Sequence, residues 1–212
     1  MSNFYADIRT VTNPDDMLVL VNKNFALPTG YEPTDLVLLD VALYTDAPYA
    51  EYNYLRQEAA DATKALFDAA YEEEGYVLLA RSAYRSIDSQ QDIYLDYYAD
   101  GGQQLADTYS ARPYHSEHQT GLALDVSAES VRSGQYSVFG ASVESEWVAE
   151  NAHRFGFIVR YPEGKESLTG YGFEPWHIRY VGIEAATEIY EADILLEDYL
   201  LEHALIKTLP HS

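Results

Sequence analysis

Two short polar stretches, far apart in the sequence, are the feature that most constrains the fold of this chain. The first runs from Ser116 to Asp125 and contains His118, and the second is Glu174-Pro175-Trp176-His177. Together they supply two imidazoles, a carboxylate to accompany them and a spare carboxylate. A catalytic zinc site takes three protein ligands and keeps one position open for water, so a His/His/Asp set with Glu174 as a base would be complete. A fold that uses this set must bring the two stretches together.

Each stretch also has local features that suit such a role. In the first, His118 and Asp125 are seven positions apart with Gly121 between them, which suits a turn that enters a strand. In the second, Pro175 fixes its own backbone angle and restricts Glu174. The carboxylate and His177 are therefore expected to lie close together at the start of an apolar strand over residues 178–181. The convergence of both stretches on one metal is a matter of tertiary structure, which the spacing does not decide.

Composition narrows the classes of function. The 212 residues are enough for one domain with a substantial core and too few for two ordinary domains with a linker. The formal net charge of −22 would repel a polyanion, so nucleic acid is not an expected partner. Because the chain contains no cysteine, it has no disulfides and no thiolate ligands, and a zinc ion would have to use histidine and carboxylate.

The N-terminal segment carries no export signal that we recognise. Residues 1–7 lack the basic and apolar regions of a signal peptide, and no apolar run approaches the length of a membrane span. We expect no transmembrane segment in this chain. The expected location is cytoplasmic if the chain is complete, and the cell envelope or the exterior if an export segment has been removed.

Hydrophobic periodicity predicts helices and strands mixed within one α+β domain. A helix is expected over residues 51–74 with Gly75 as its stop, and a second should run from a cap at Asp88 or Ser89 to about Tyr98, ended by Gly101-Gly102. The remaining expectations are helices over 144–155 and about 184–203, strands over 76–80, 157–161 and 178–181, and extended structure over 17–21 and 36–41.

The two stretches resemble the motifs of a known family. The pattern Ser-x-His-x-x-Gly-x-Ala-x-Asp, followed by Glu-Pro-Trp-His, is similar to that of the VanY-type zinc D-alanyl-D-alanine carboxypeptidases, which belong to the LAS metallopeptidases. Further similarity is found at Leu20-Val21-Asn22-Lys23, at Tyr84-Arg85-Ser86 with Gln90, and from Arg154 to Pro162.

The resemblance covers most of residues 18–182 and implies a LAS-type fold. This would be a single α+β metallopeptidase domain over residues 1–212, with a family-like core at about 18–182 and a C-terminal helix at about 184–203. Its sheet would be mainly antiparallel and carry the zinc site, and its helices would pack on one side.

The resemblance also implies how the chain holds zinc and moves protons. The implied zinc ligands are His118, Asp125 and His177, and Glu174 is the implied catalytic base. Zinc lowers the pKa of its water, and a carboxylate beside it can take that proton and later give it to the leaving amine.

Three further residues are implied to contact the substrate. Arg85 is implied to stabilise the oxygen of the scissile carbonyl. Ser116 and Gln90 are implied to bind the terminal D-residue. The implied partner is a peptidoglycan stem peptide or its precursor.

Several activities share these motifs. Removal of D-alanine from a D-Ala-D-Ala terminus is the first interpretation, and the alternatives are removal of D-alanine from an L,D-linked tetrapeptide and cleavage of free D-Ala-D-Ala. The alternative from a different class is a zinc-bearing binding domain without catalysis. Glu174 and Arg85 argue against that class, because a binding domain needs neither a base nor a cation that stabilises an oxyanion.

Two further histidines and one loop complete the expectations. His115 and His153 are not expected to bind the metal, because three ligands already complete the site. In the loop Arg112-Pro113-Tyr114-His115 the chain departs from the family, in which a small Pro-Gly segment is common. This bulkier loop is expected to change the rim of the site and the range of substrates.

Overall fold

The computed structural model describes residues 4–209 and contains one main sheet and two smaller ones. The strands of the described part are β1 (Arg9–Thr10), β2 (Phe25–Ala26), β3 (Leu36–Leu38), β4 (Tyr54–Arg56), β5 (Leu78–Ser82), β6 (Ala123–Ala128), β7 (Phe157–Tyr161) and β8 (Glu174–Tyr180). The main sheet is antiparallel throughout, with the order β5-β6-β8-β7. In the smaller sheets, β1 pairs in parallel with β2, and β3 pairs antiparallel with β4. Residues 1–3 and 210–212 of the expected domain lie outside the described residues.

The helices, which differ greatly in length, lie between and after the strands along the chain. They are α1 (Gln57–Glu74), α2 (Ile87–Tyr109), α3 (Tyr136–Phe139), α4 (Val143–Asn151), α5 (Glu166–Thr169), α6 (Ile183–Ala192) and α7 (Leu196–Glu202). Across residues 4–209, no helix combines the length and the apolar composition that a membrane span requires. The expected α+β class with a mainly antiparallel sheet is confirmed.

The main sheet separates an apolar face from a polar one. Leu124 of β6 and Ile178 of β8 belong to one apolar core with Leu66 of α1. Because successive side chains of a strand point to opposite faces, Asp125 and His177 point away from this core. These two residues are also direct partners across the β6–β8 pair. The register of the sheet therefore places one carboxylate opposite one imidazole on the polar face.

The first long helix begins later than the periodicity predicted. Residues 54–56 form β4 instead, whose Arg56 lies opposite Leu36 of β3. Pairing with β3 thus prevails over the helical pattern, and the predicted start at residue 51 is wrong. The stop at Gly75 is confirmed: its φ is 75°, a left-handed conformation that glycine adopts without strain, and its N–H donates to the Ala70 and Tyr71 carbonyls.

The second long helix begins earlier than predicted. Its N-cap is Ser86, whose hydroxyl accepts a hydrogen bond from the backbone N–H of Ser89, so neither Asp88 nor Ser89 is the cap. Gly101 and Gly102 adopt non-helical angles and end the first part of the helix, as predicted. After this kink a second helical part runs to Tyr109.

The C-terminal region contains two helices where one was expected. Asp193 ends α6 in a left-handed conformation with φ 51°, and a second helix, α7, starts at Leu196. Leu196 and Leu200 of α7 pack with Ile158 of β7 in a second apolar cluster. The break at Asp193 lets α7 turn back onto the domain.

Gly121 forms the turn between His118 and β6. Its φ is +68°, and a Cβ at this position would lie 2.8 Å from Leu36 Cδ2 and 2.9 Å from Arg56 Cγ. Both its conformation and its close packing therefore require glycine. The turn sets where the chain enters β6 and hence where Asp125 lies relative to His118.

We expect Gly121→Ala to lower the free energy of unfolding by about 2 kcal/mol or more, because alanine would be strained at this φ and would clash with two side chains. Gly30→Ala is the matched control, since Gly30 has a similar φ of +78° and no atom within 4 Å of the added Cβ. That control should lose only about 1 kcal/mol. Urea denaturation measures both changes, and equal losses would contradict the packing argument.

Candidate metal centre and active site

Three buried side chains converge on one point of the polar face. The candidate ligand atoms of His118, Asp125 and His177 all lie within 4.8 Å of one another. His118 comes from the 3-10 turn Glu117–Thr120, and the other two come from neighbouring strands. Asp125 Oδ1 is 3.1 Å from His177 Nδ1 and 3.4 Å from His118 Nε2. Two imidazole nitrogens and one carboxylate oxygen form a donor set that suits zinc.

The other nitrogen of each imidazole is held by an acceptor. His118 Nδ1 lies 2.7 Å from the Ala83 carbonyl oxygen, and His177 Nε2 lies 3.2 Å from Glu117 Oε2. These contacts turn His118 Nε2 and His177 Nδ1 toward Asp125. Such partners fix the tautomer and the orientation of ligating histidines.

Burial and neighbouring charges act in opposite ways on the two histidines. Burial, helped by the Arg85 guanidinium, lowers the pKa of His118 to about 4, so its imidazole is neutral, as a metal ligand must be. Burial also disfavours the charged form of His177, but hydrogen bonds to Asp125 and Glu117 raise its pKa to about 9. A metal ion at Nδ1 would take the place of the proton that these carboxylates stabilise.

Glu117 connects the second histidine to a buried ion network. Its Oε1 accepts hydrogen bonds from Arg160 Nε at 2.8 Å and from Arg179 Nη1 at 2.9 Å. Arg160 also donates to both oxygens of Glu197 in α7, at 3.0 and 2.6 Å. Burial opposes ionisation of Glu117, yet the two guanidinium groups hold its pKa well below the usual range. Glu117 is therefore a carboxylate that fixes the ring of His177.

Glu174 stands at the first position of β8 and lines the same cavity as the three candidate ligands. Burial raises the pKa of its carboxyl to about 7, while His177 opposes this shift. The position of Glu174 in the strand keeps it outside the group of candidate ligands. It is available as a proton acceptor beside that group.

Arg85 contacts the group through Asp125. Its Nη2 is 3.6 Å from Asp125 Oδ2, and its Nη1 donates to Gln90 Oε1 at 3.0 Å. Gln90 is buried, and its Nε2 donates to the Ser110 hydroxyl at 3.1 Å and to the Ala111 carbonyl at 2.9 Å. Gln90 thus holds the guanidinium of Arg85 in place.

A cavity of about 570 Å³ contains all seven residues that the sequence singled out: Glu174, Arg85, Ser116, Gln90, His118, Asp125 and His177. Ser116 is buried at its wall, immediately before the 3-10 turn. Trp176 also lines the cavity, and its ring lies 5.2 Å from that of Tyr136. A volume of this size accommodates more than a single amino acid.

The sequence did not predict several residues of this cavity. Tyr161 is buried with its ring 5.0 Å from that of His177, and Tyr171 packs on Tyr161 at 4.6 Å. The role of Glu117 was also missed. Its signal was present, because Arg160 and Arg179 interrupt otherwise apolar strands and a buried guanidinium requires a carboxylate partner.

His115 and His153 lie outside the group of candidate ligands. His115 Nδ1 is 2.8 Å from the Asn22 carbonyl oxygen, and the ring of His153 stacks on Tyr190 at 3.9 Å. In the loop where the chain departs from the family, Tyr114 adopts a φ of 72°. Its N–H donates to Gln119 Oε1 at 2.7 Å, a contact that helps to hold the left-handed conformation.

The chain is similar to proteins of one family. The family model VanY, described as D-alanyl-D-alanine carboxypeptidase, matches residues 52–183, which is more than half of the chain. YodJ of Bacillus subtilis strain 168, a carboxypeptidase by name, is 45% identical over 204 residues, which are 93% of this chain and 74% of the relative.

Two solved structures show the same fold. The LdcB LD-carboxypeptidase is 43% identical with a TM-score of 0.86, and the match covers 94% of this chain and 96% of that one. A D,D-pentapeptidase VanY from a VanB-type resistance cassette, solved in complex with Zn(II), is 35% identical with a TM-score of 0.66. That match covers 87% of this chain and 98% of the other.

We expect Glu117→Gln to lower the free energy of unfolding by about 3 to 5 kcal/mol, because it leaves the buried guanidinium of Arg179 without a carboxylate and removes one of the two carboxylates that pair with Arg160. The control is Glu73→Gln, which removes an exposed carboxylate that pairs with Arg154 at 2.6 Å and should change stability far less. Both variants are measured by urea denaturation of the metal-free protein. Similar small losses in both would show that the buried network contributes little to stability.

Proposed function

Because the chain belongs to the VanY family of D-alanyl-D-alanine carboxypeptidases, we propose that it is a zinc-dependent carboxypeptidase that removes C-terminal D-alanine from peptidoglycan stem peptides. The observation that carries this proposal is the buried group of two imidazoles and one carboxylate, with Glu174 and Arg85 in the same cavity. A zinc-bearing binding domain would have no use for the last two residues. Since the substrate is a wall component, we place the activity at the cell envelope.

We assign zinc to His118 Nε2, Asp125 Oδ1 and His177 Nδ1. The bound metal supplies a Lewis acid and lowers the pKa of water to near neutrality. Glu174 takes the proton from the attacking water and returns it to the nitrogen of the leaving D-alanine. Its place at the start of β8, beside His177 but outside the ligand group, supports this role.

The same geometry supports roles for Arg85, Gln90 and Ser116. Arg85 donates hydrogen bonds to the oxygen of the scissile carbonyl as negative charge develops on it. Gln90 contributes to the subsite of the terminal D-residue through the hydrogen bond that orients Arg85. Ser116, which lines the same cavity, also binds that residue.

Two substrates fit this chemistry. A D-Ala-D-Ala terminus is the substrate that the description of the family indicates. The likeness to the LdcB LD-carboxypeptidase supports removal of D-alanine from a tetrapeptide stem as the second candidate. Both reactions use the same zinc ligands, base and arginine.

We expect one zinc ion per chain, and His177→Ala should lose most of its zinc affinity because one of three protein ligands is removed. His153→Ala is the matched control, since this histidine stacks on Tyr190 and lies outside the ligand group. Elemental analysis after dialysis against a weak chelator measures both. Full zinc retention in His177→Ala would refute the ligand assignment.

We expect Glu174→Gln to bind zinc as the wild type does and to lose activity by about a hundredfold or more, the contribution of a general acid-base group. Zinc content and kcat are measured on the same preparation. Exposed Glu146→Gln provides a control for a lost carboxylate outside the cavity. Near-normal turnover of Glu174→Gln would assign the base to another residue.

A further inference from the structure

The cavity continues beyond the metal group along α2. Gln90, which contacts Arg85, belongs to the first turn of this helix, and Ile93 and Tyr97 also line the cavity. These positions are three or four residues apart, so they lie on one face of the helix. The second part of α2 contributes Tyr109 to the same cavity.

The kink at Gly101 and Gly102 brings the two parts of α2 together. In a straight helix, Tyr97 and Tyr109 would be about 18 Å apart along the axis. Their ring centroids are instead 6.1 Å apart with an interplanar angle of 23°. A hydrogen bond of 2.8 Å from the Tyr94 hydroxyl to Asp107 Oδ1 also joins the two parts. The helix therefore folds back on itself and builds a stacked tyrosine pair.

This pair is exposed, although it lies at the wall of a cavity. Tyr97 is 38% exposed and Tyr109 is 64% exposed. Aromatic rings that serve only to fill a core are not accessible to this degree. One face of each ring covers the other ring, and the exposed remainder of the pair is open to whatever occupies the outer part of the cavity.

The position of the pair relative to the metal group indicates which part of a substrate it meets. Tyr97 lies about two helical turns beyond Gln90, or about 10 Å along the helix. An extended peptide covers this distance with about three residues. A carboxypeptidase substrate ends at the residue that is removed, so an outer part of the cavity can only hold what precedes the cleaved bond.

We propose that Tyr97 and Tyr109 form a platform for the pyranose ring of the amino sugar to which the stem peptide is attached. This inference rests on the proposed function. Three residues before the cleaved bond, a tetrapeptide stem reaches the sugar. A pyranose presents C–H bonds that pack on the negative faces of aromatic rings. Asp92, which also lines the cavity, offers a carboxylate to the sugar hydroxyls.

Charge agrees with this occupant. The chain carries a formal net charge of −22, which disfavours an anionic ligand at an exposed surface. The sugar is neutral where its carboxyl group has been converted to the amide that begins the stem. Binding of the sugar to the platform therefore adds contact area between substrate and protein and places no further negative charge next to this acidic protein.

The test compares two substrates, the stem peptide alone and the same peptide linked to N-acetylmuramic acid. The wild type should show a higher kcat/KM for the sugar-bearing substrate. In Tyr97→Ala and in Tyr109→Ala, the ratio of the two kcat/KM values should fall by about threefold to tenfold, the usual contribution of an aromatic contact. Tyr97→Phe should retain the ratio, because it keeps the ring. Tyr98→Ala, which removes an exposed neighbour outside the cavity, should also retain it.

Calorimetric binding of both ligands to the zinc-free protein gives the same comparison without cleavage. Absence of cleavage by the zinc-loaded wild type would refute the proposed function, whereas the ratio of the two Kd values would still test the platform. A wild-type ratio near one, or an equal loss for both ligands in the alanine variants, would overturn the platform.

Discussion

Glu117 is a fully buried carboxylate that is shared among Arg160, Arg179 and the metal-facing His177. Burying these charges is costly, and only complete pairing makes the arrangement stable. The network extends through Arg160 to Glu197, so it ties two strands of the main sheet, the 3-10 turn before β6 and the C-terminal α7 to one carboxylate. The polar face of the sheet combines these ion pairs with the apolar cluster around Ile158, and the other face packs on the main apolar core. The same contacts that stabilise this face also orient a metal ligand.

Besides this ion network, two features place the candidate metal ligands: the register of β6 and β8 and the turn at Gly121. Sheet register sets Asp125 opposite His177, and the Gly121 turn brings His118 beside them. The candidate ligands thus sit on rigid elements, as precise coordination requires. The substrate cavity, in contrast, is completed by α2, whose kink folds it into two packed parts. The candidate metal ligands therefore lie on the sheet and the 3-10 turn, while α2 lines the outer part of the cavity.

The sequence predicted the site better than it predicted the helices. The seven expected site residues lie in one cavity because their motifs specify residue type and spacing together, and the β7 bounds of Phe157–Tyr161 matched the expected strand. Gly101 and Gly102 interrupt α2 as predicted, but the second helical part up to Tyr109 was not predicted, because tertiary hydrogen bonds such as Gln90 to Ser110 hold it in place. The partners of Glu117 could not be identified from the sequence. A buried arginine needs a carboxylate partner, but the sequence does not show which carboxylate pairs with it.

The central claim is that a single zinc site releases one D-alanine from the end of a stem peptide. The most direct measurement is mass spectrometry of defined tripeptide, tetrapeptide and pentapeptide stems after incubation with the zinc-loaded protein, with and without a chelator. The account predicts loss of one D-alanine from the tetrapeptide, the pentapeptide or both, no change in the tripeptide, and no reaction with the chelator. Internal cleavage, or release of D-alanine that is unaffected by the chelator, would contradict it.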